Sequence, residues 1–357
     1  MKILFIIPNL NYGGAERVMC HISNFLSRNN NVTVLTFNNK QARFDLLMNH
    51  ICIDSNCGKN VFLKLNNLIK RIFIIRQKLK EINPDLVISF MESANIPSII
   101  SNSLLKRKHK LFLSVRNNPD MFPWFYKVSI FILYRFAEKV VVPSQGVKVC
   151  LEKYGIKNER IKFIPNPIDI DLIKNLLKDK NDLNLNLPKK YILSIGRLVE
   201  QKDFDRLLKI FSKLEKIDLN LVIVGRGPLK EKLNSMIRDL KLKDKVFFID
   251  HTSNPFLLYK NALCYVSTSR YEGWPNVLNE AIASGCPVLS YDCKFGPREI
   301  INQDNGILIK DDDDKSMLEA IKKVYDDETL RLNLIKNGRK GLHRFSLERI
   351  SKKWIEI

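Results

Sequence analysis

Glu272 and Glu280 stand eight residues apart in the stretch S-R-Y-E-G-W-P-N-V-L-N-E-A-I-A-S-G-C-P-V-L-S, residues 269–290. Between them, Pro275 suits a first helical position, because its missing N–H would find no partner there, and Gly285 followed by Pro287 ends a helix. A helix from about Pro275 to Ser284 would offer free N–H groups from Asn276 to Leu278 and the positive end of its dipole, which suits an anion such as a phosphate. Glu272 sits in the loop just ahead of that anion site. Two cations, Arg197 and Lys202, flank another strand-to-helix loop, where they could neutralise a leaving diphosphate. The pair Gly13-Gly14 lets backbone approach a ligand closely. Each feature also has a plain reading: an amphipathic helix with a solvated Glu280, isolated surface cations, a tight turn.

The elements that must carry these residues alternate strand and helix. Lys2 to Pro8 is a continuous apolar run with β-branched residues, as expected of a parallel strand buried on both faces. Gly13-Gly14 then opens a helix through about Leu26, and Val32 to Phe37 reads as the next strand. Further strands are expected at Leu86–Phe90, Lys110–Val115, Lys139–Val142 and Ile161–Pro165. After the connector Pro165-Asn166-Pro167-Ile168-Asp169 and the polar segment Lys178–Lys190, strands restart at Tyr191–Ile195, Leu219–Val224, Val246–Ile249 and Leu263–Ser267. Gly196 and Gly225 each follow a strand. This order indicates two doubly wound α/β halves: residues 1–168, residues 169–340, and a last helix within 341–357. Open sheets of this kind bind ligands at the carboxyl ends of their strands.

Two helices of the first half raise a surface question. Val61 to Ile82 reads as a long helix with a wide apolar stripe of Leu65, Leu68, Ile69, Ile72, Phe73, Ile75 and Leu79. Lys64, Arg71 and Lys78 recur every seven residues along one edge of it, roughly 10 Å apart at the helical rise. That ladder is either a solvated basic flank of a core helix or a grip for a lipid-linked diphosphate at a membrane face. Trp124 to Phe136 is an aromatic and basic helix, by default core-packed, with a membrane-facing surface as the lesser reading. Asp311–Asp314 is read as the acidic start of a helix near Ser316 rather than a metal site.

At 357 residues and 45% hydrophobic content the chain can fill two ordinary cores. No apolar run reaches the ~20 residues of a membrane span, and Met1-Lys2 runs directly into a strand-like segment rather than a cleavable signal, so a cytoplasmic protein is expected. Seven scattered cysteines without Cys-x2-Cys spacing argue against a disulfide scaffold or a zinc site. The net charge of +21 suits nucleic acid, an anionic membrane or phosphorylated substrates. No helix-turn-helix or RNA-binding aromatic motif is present, and nucleic acid is not expected.

The 272–280 string resembles the Glu-x7-Glu signature of family 4 retaining glycosyltransferases. Gly196-Arg197 to Lys202 resembles their G-R-x4-K pattern, and Gly13-Gly14-Ala15-Glu16 their G-G-A-E loop. Arg116-Asn117-Asn118-Pro119 and Phe295-Gly296-Pro297-Arg298-Glu299-Ile300 resemble segments of the bacterial members that extend polyprenyl-diphosphate-linked glycans. The resemblance implies a GT-B fold with two Rossmann-like domains facing across a cleft, acceptor on the first and nucleotide sugar on the second. It implies metal-independent, retaining transfer of a hexose or N-acetylhexosamine (GalNAc, GlcNAc or Gal) from a UDP-sugar, with no cofactor, at the inner face of the plasma membrane. Carried over residue by residue, Glu272, Arg197 and Lys202 are catalytic. Gly14, Gly196, Gly225, Asn276, Val277, Leu278 and Glu280 bind the donor, with Glu280 on the ribose. Gly13, Arg116 and Asn117 face the acceptor, and the ladder of Lys64, Arg71 and Lys78, in the second of its two readings, is a further candidate for it. Where many members have a histidine, this chain has Arg116 or Asn117. The alternatives are an epimerase or phosphorylase on the same fold, or a basic binding module without catalysis.

Overall fold

The computed structural model describes residues 1–11, 13–38, 44–55, 60–179, 187–214 and 217–356. The chain divides into two units, Met1–Pro167 with Leu347–Ile357, and Ile168–Ser346. Tyr12 and most of the polar segment after Lys178, residues 180–186, lie outside the described residues.

The first unit alternates β1 (Lys2–Ile7), α1 (Gly14–Leu26), β2 (Asn31–Thr36), β3 (Asn49–Cys52), α2 (Val61–Ile82), β4 (Leu86–Phe90), α3 (Glu92–Ser103), β5 (Lys110–Ser114), α4 (Trp124–Leu133), β6 (Lys139–Val142), α5 (Gln145–Lys153) and β7 (Ile161–Phe163). Its seven strands are parallel, in the order β3-β2-β1-β4-β5-β6-β7. The order turns at β1, whose Ile3 pairs with Val32 on one side and Leu86 on the other. Loops leaving β1 and β4 therefore diverge and open a crevice at their carboxyl ends. Ile3 to Ile7 are all buried, as an apolar run without alternation requires of a strand covered on both faces.

The second unit runs α6 (Ile170–Leu176), β8 (Tyr191–Ile195), α7 (Phe204–Ser212), β9 (Asn220–Val224), α8 (Lys230–Asp239), β10 (Val246–Ile249), α9 (Pro255–Asn261), β11 (Cys264–Ser267), α10 (Asn276–Ser284), β12 (Val288–Tyr291), α11 (Pro297–Ile300), β13 (Ile307–Ile309), α12 (Asp314–Asp326) and α13 (Glu328–Gly341). The order β10-β9-β8-β11-β12-β13, again parallel, turns between β8 and β11. The loops after those two strands carry Arg197, Lys202 and Glu272. Both units are thus Rossmann-like.

The final helix, α14 (Leu347–Lys353), belongs to the first unit. It packs on α1, burying Ile350, and beyond its end the Trp354 ring stacks on Phe90, 5.3 Å between centroids. Filling this core holds the chain terminus on the first sheet, and truncating such a tryptophan costs about 3–5 kcal/mol.

Candidate active site

The second unit builds a charged site from two loops locked to each other. After β8, Gly196 leads into Arg197, and a short turn through Glu200–Lys202 ends at Asp203, which takes a left-handed conformation (φ 48°). After β11, Thr268 Oγ1 donates to the carbonyls of Lys202 and Asp203, both at 3.0 Å. The Arg270 guanidinium grips the Asp203 carboxylate at 2.8 and 3.3 Å. Gln201 Nε2 donates to the Tyr271 carbonyl at 2.9 Å, and the Arg270 N–H donates back to the Gln201 carbonyl at 2.9 Å. A third segment braces the outer side: the Glu272 N–H donates to the Lys294 carbonyl at 3.0 Å. Just beyond, Gly296 (φ 92°) lies so close to Pro275 that a Cβ would sit 2.6 Å from its ring.

This scaffold brings Lys202 Nζ to 2.5 Å from Glu272 Oε1. The pair is shielded: the side chains are 17% and 8% exposed. Glycine allows the approach. A Cβ on Gly196 would press on the Lys202 stem at 3.3 Å, and one on Gly225 would lie 1.9 Å from the Gly196 carbonyl oxygen. Gly196 and Gly225 are therefore needed where the loops after β8 and β9 cross. The Arg197 side chain is exposed and has no hydrogen-bond or ion-pair partner among the described residues, while its carbonyl accepts from the Val199 N–H at 2.8 Å.

The helix read from the sequence is α10, with Pro275 one residue outside it as its cap and Gly285 (φ 80°) closing it. The set of free amides is smaller than the spacing suggested. The Leu278 N–H donates to the Pro275 carbonyl at 3.0 Å, because the first turn is tight. Leu278, Ala281 and Ile282 are buried as the apolar face, whereas Val277 is half-exposed at the helix start. Glu280 is not a solvated surface acid: it is 6% exposed, beside Asn279 at 1%.

In the first unit, Gly13 caps α1 and Gly14 begins it, and the buried Glu16 folds back over Gly13. Arg116 follows β5. Its guanidinium donates to Asn166 Oδ1 and to Ser114 Oγ (3.2 Å) and lies over the Phe90 ring, 5.5 Å from its centroid. Burial lowers its pKa, opposed by the charge of Glu92. Asn117 Oδ1 accepts from the Asn118 N–H at 2.9 Å.

The ladder on α2 does not hold together as three solvent-facing cations. Arg71 is drawn inward, donating to Ser55 Oγ (3.0 Å) and the Ser55 carbonyl (2.8 Å) with its guanidinium 4.4 Å from the Phe37 ring. Lys78 pairs with Glu81 at 2.7 Å, one turn on. Lys64 is exposed. The apolar stripe divides as well: Ile75 and Leu79 are buried, while Leu65 (55%), Ile69 (45%) and Phe73 (63%) face outward, as does Phe62 (79%), which lies ahead of the stripe. The aromatic α4 is likewise not core-packed, with Trp124 at 76% and Phe131 at 54%.

Asp311–Asp314 plays the structural part expected of it. Asp313 caps α12 by accepting from the Ser316 N–H at 3.0 Å, and Asp311, Asp312 and Asp314 surround Arg206, itself stacked on Tyr291.

With the geometry in hand, the chain can be set beside known proteins. The family model described as "Glycosyltransferase Family 4" matches residues 12–172 and that for "Glycosyl transferases group 1" matches residues 177–341. An uncharacterised glycosyltransferase of Methanocaldococcus jannaschii is 32% identical over 83% of this chain and 84% of its own. This chain is a family 4 glycosyltransferase. The enzyme is also 27% identical, over 99% of both chains, to the Campylobacter jejuni N-acetylgalactosamine-N,N′-diacetylbacillosaminyl-diphospho-undecaprenol 4-α-N-acetylgalactosaminyltransferase. Among solved structures, Anabaena HepE in complex with UDP superposes with a TM-score of 0.81 at 20% identity, covering 100% of this chain and 99% of that one. That likeness, together with the two parallel sheets, gives the glycosyltransferase a GT-B fold.

One residue that sequence reasoning passed over stands beside those it found. Glu92 begins α3 at the end of β4, after Met91, which has φ 73° and ψ 149°. The sequence carries a signal for it only in hindsight of the topology, as an acid directly following an apolar strand next to the point where the sheet order turns.

Proposed function

We propose that this glycosyltransferase moves a hexose or N-acetylhexosamine (GalNAc, GlcNAc or Gal), with retention, from a UDP-sugar to a polyprenyl-diphosphate-linked saccharide during assembly of a surface glycan. The observation that carries the reading is the shielded Lys202–Glu272 pair at the carboxyl ends of β8 and β11, with exposed Arg197 on the same loop. Breaking an anomeric bond to a nucleotide releases a diphosphate, so stabilising that charge is the main catalytic task. Lys202 and Arg197 supply two positive charges and the start of α10 a third, partial one. In this reading they serve in place of a divalent ion. Glu280 accepts hydrogen bonds from the ribose hydroxyls, and Glu272 holds the donor sugar or steadies the positive charge that develops on it. Substitution takes place on one face of the sugar, with the departing phosphate oxygen accepting the proton of the attacking hydroxyl.

The second unit would hold the donor and the first the acceptor, near Gly13, Arg116 and Asn117. The names of the Campylobacter relative and of UDP-bound Anabaena HepE support undecaprenol-linked acceptors and a UDP donor. A peripheral site on the anionic cytoplasmic face of the membrane accords with the outward-facing Phe62, Leu65, Ile69 and Phe73 beside Lys64 and Lys70 on α2, a combination that suits a lipid interface. No helix among the described residues is long and apolar enough to cross a membrane. The test is a panel of UDP-sugars incubated with a lipid-diphosphate disaccharide: one donor is expected to release UDP only when the acceptor is present.

A further inference from the structure

The first unit carries a carboxylate that the donor chemistry does not use. Glu92 stands at the carboxyl end of β4, and β4 neighbours β1 where the strand order turns, so Glu92 and the Gly13-Gly14 loop flank the same crevice. Glu92 Oε1 is buried and has no hydrogen-bond partner among the described residues. The backbone that places it is strained: Met91, at φ 73° and ψ 149°, occupies a region that is almost exclusively glycine's and costs about 1–3 kcal/mol. Two more buried polar atoms close to the ends of β4 and β5, Asn95 Oδ1 and Asn118 Nδ2, also lack partners among the described residues. Asn95 is itself fixed, its Nδ2 donating to the Ser114 carbonyl and Tyr134 Oη, both at 3.1 Å.

An acid held by strain at a binding crevice, with its oxygen unmatched, is poorly explained as a contributor to the fold. An unpaired buried acceptor destabilises a protein by about 1–3 kcal/mol, and here the charge of Arg116 and Glu92's own N–H offset the burial only in part. We propose that Glu92 is an acceptor-recognition residue, its carboxylate accepting a hydrogen bond from a hydroxyl of the acceptor saccharide. Arg116, fixed on the adjacent strand end and charged, faces it and keeps a bound hydroxyl oriented between the two polar groups. The inference rests on the reading of the first unit as the acceptor-binding unit and adds the residue that selects the sugar.

The electrostatics agree with that placement. Burial pushes the Glu92 carboxyl up to about 7, against the pull of its own backbone N–H and of Arg116. Arg116 and the buried Tyr134 are the titratable groups that face it, and Tyr126 faces Tyr134 in turn. Because the native pKa lies above the ordinary value of 4.5, the folded state favours the protonated acid. Stability present below about pH 4.5 is thus lost as pH rises through about 7. A site that needs an ionised acceptor for a hydroxyl should also bind better as pH rises through the same range.

The experiment compares wild type with Glu92→Gln, and with Glu92→Ala as a second variant. Kinetics use a UDP-sugar that the wild type turns over and a short-chain polyprenyl-diphosphate disaccharide. Glu92→Gln is expected to raise the acceptor KM roughly 10- to 100-fold, the range for one hydrogen bond to a charged group. The donor KM and acceptor-independent UDP release should be unchanged. The rise of kcat/KM for the acceptor between pH 6 and 8 should flatten. In thermal unfolding, Glu92→Gln should gain on wild type between pH 5 and pH 8, as the wild-type carboxyl ionises. An unchanged acceptor KM in either variant, or a joint fall in stability and in affinity for both substrates, would overturn the inference. If wild type turns over no UDP-sugar, it is the proposed function that fails. Calorimetric binding of the same disaccharide probe then still decides: weaker in Glu92→Gln supports the assignment, equal in both overturns it.

Discussion

Removing the ammonium of Lys202 while keeping its stem, as in Lys202→Met, separates charge from packing. Two opposite charges 2.5 Å apart attract by roughly 6–7 kcal/mol at an effective dielectric of about 20. Desolvation cancels much of that, and removing one partner of a buried pair costs about 3–5 kcal/mol because the other charge is left uncompensated. With Lys202 17% exposed, water reaches the pair and the lower end, about 3 kcal/mol, is the expected loss of stability. Glu272→Gln should cost a similar amount, and the double variant less than the sum by about 2 kcal/mol, since neither charge is then orphaned. Denaturant unfolding of the four proteins measures this coupling. Catalysis gives the second reading: losing one charge that stabilises a leaving diphosphate should lower kcat/KM for the donor by roughly 10²–10³. Additive stabilities would refute the buried pair as described, and wild-type turnover in Lys202→Met would refute its part in departure of the diphosphate.

Other substitutions probe separate parts. Glu280→Ala should raise the donor Kd about tenfold or more, the worth of a hydrogen bond to a charged group, with UDP itself losing as much as the UDP-sugar in calorimetry. Gly225→Ala places a Cβ 1.9 Å from the Gly196 carbonyl oxygen and should cost about 3 kcal/mol or more by forcing the two loops apart, seen as a lowered unfolding midpoint. Trp354→Ala should cost about 3–5 kcal/mol and loosen α14 from the first sheet, which amide exchange across Leu347–Lys353 would register. Reversing Lys64 and Lys70 together should weaken co-sedimentation with vesicles containing anionic lipid, and should spare transfer to a short water-soluble acceptor. Replacing Phe62, Ile69 and Phe73 by serine should weaken binding to neutral vesicles as well.

The parts of the fold that were legible are those where one physical requirement dominates. Runs such as Leu4-Phe5-Ile6-Ile7, buried on both faces, leave no alternative to a central parallel strand, and the glycine and proline around α10 mark its ends from sequence alone. The strand Asn49–Cys52 was not legible: it is four residues long, half-exposed and at the sheet edge, so neither alternation nor an apolar run announces it. The helix Glu92–Ser103 was missed because Pro97 sits inside it and its buried residues, apart from Pro97 and Ile99, are Ala94, Asn95, Ser98, Ser101 and Asn102, small and polar residues that carry no apolar period. The regular spacing of Lys64, Arg71 and Lys78 is real but says nothing of what lies opposite. Ser55 and Phe37, distant in sequence, capture Arg71. At the candidate site after β8 and β11, residue types and spacing point to Lys202 and Glu272 separately. Their direct contact depends on β8 and β11 being neighbours, a fact of sheet order that no local pattern states.

In the proposed function the charges gathered after β8 and β11 stabilise a nucleoside diphosphate as its sugar leaves for a lipid-linked acceptor. Its most direct test is UDP release from a panel of UDP-sugars, measured with and without a polyprenyl-diphosphate disaccharide, in wild type and Lys202→Met. Acceptor-dependent release from one or a few donors is expected, reduced at least a hundredfold in the variant. Release from none, or equal release with and without the acceptor, would contradict it.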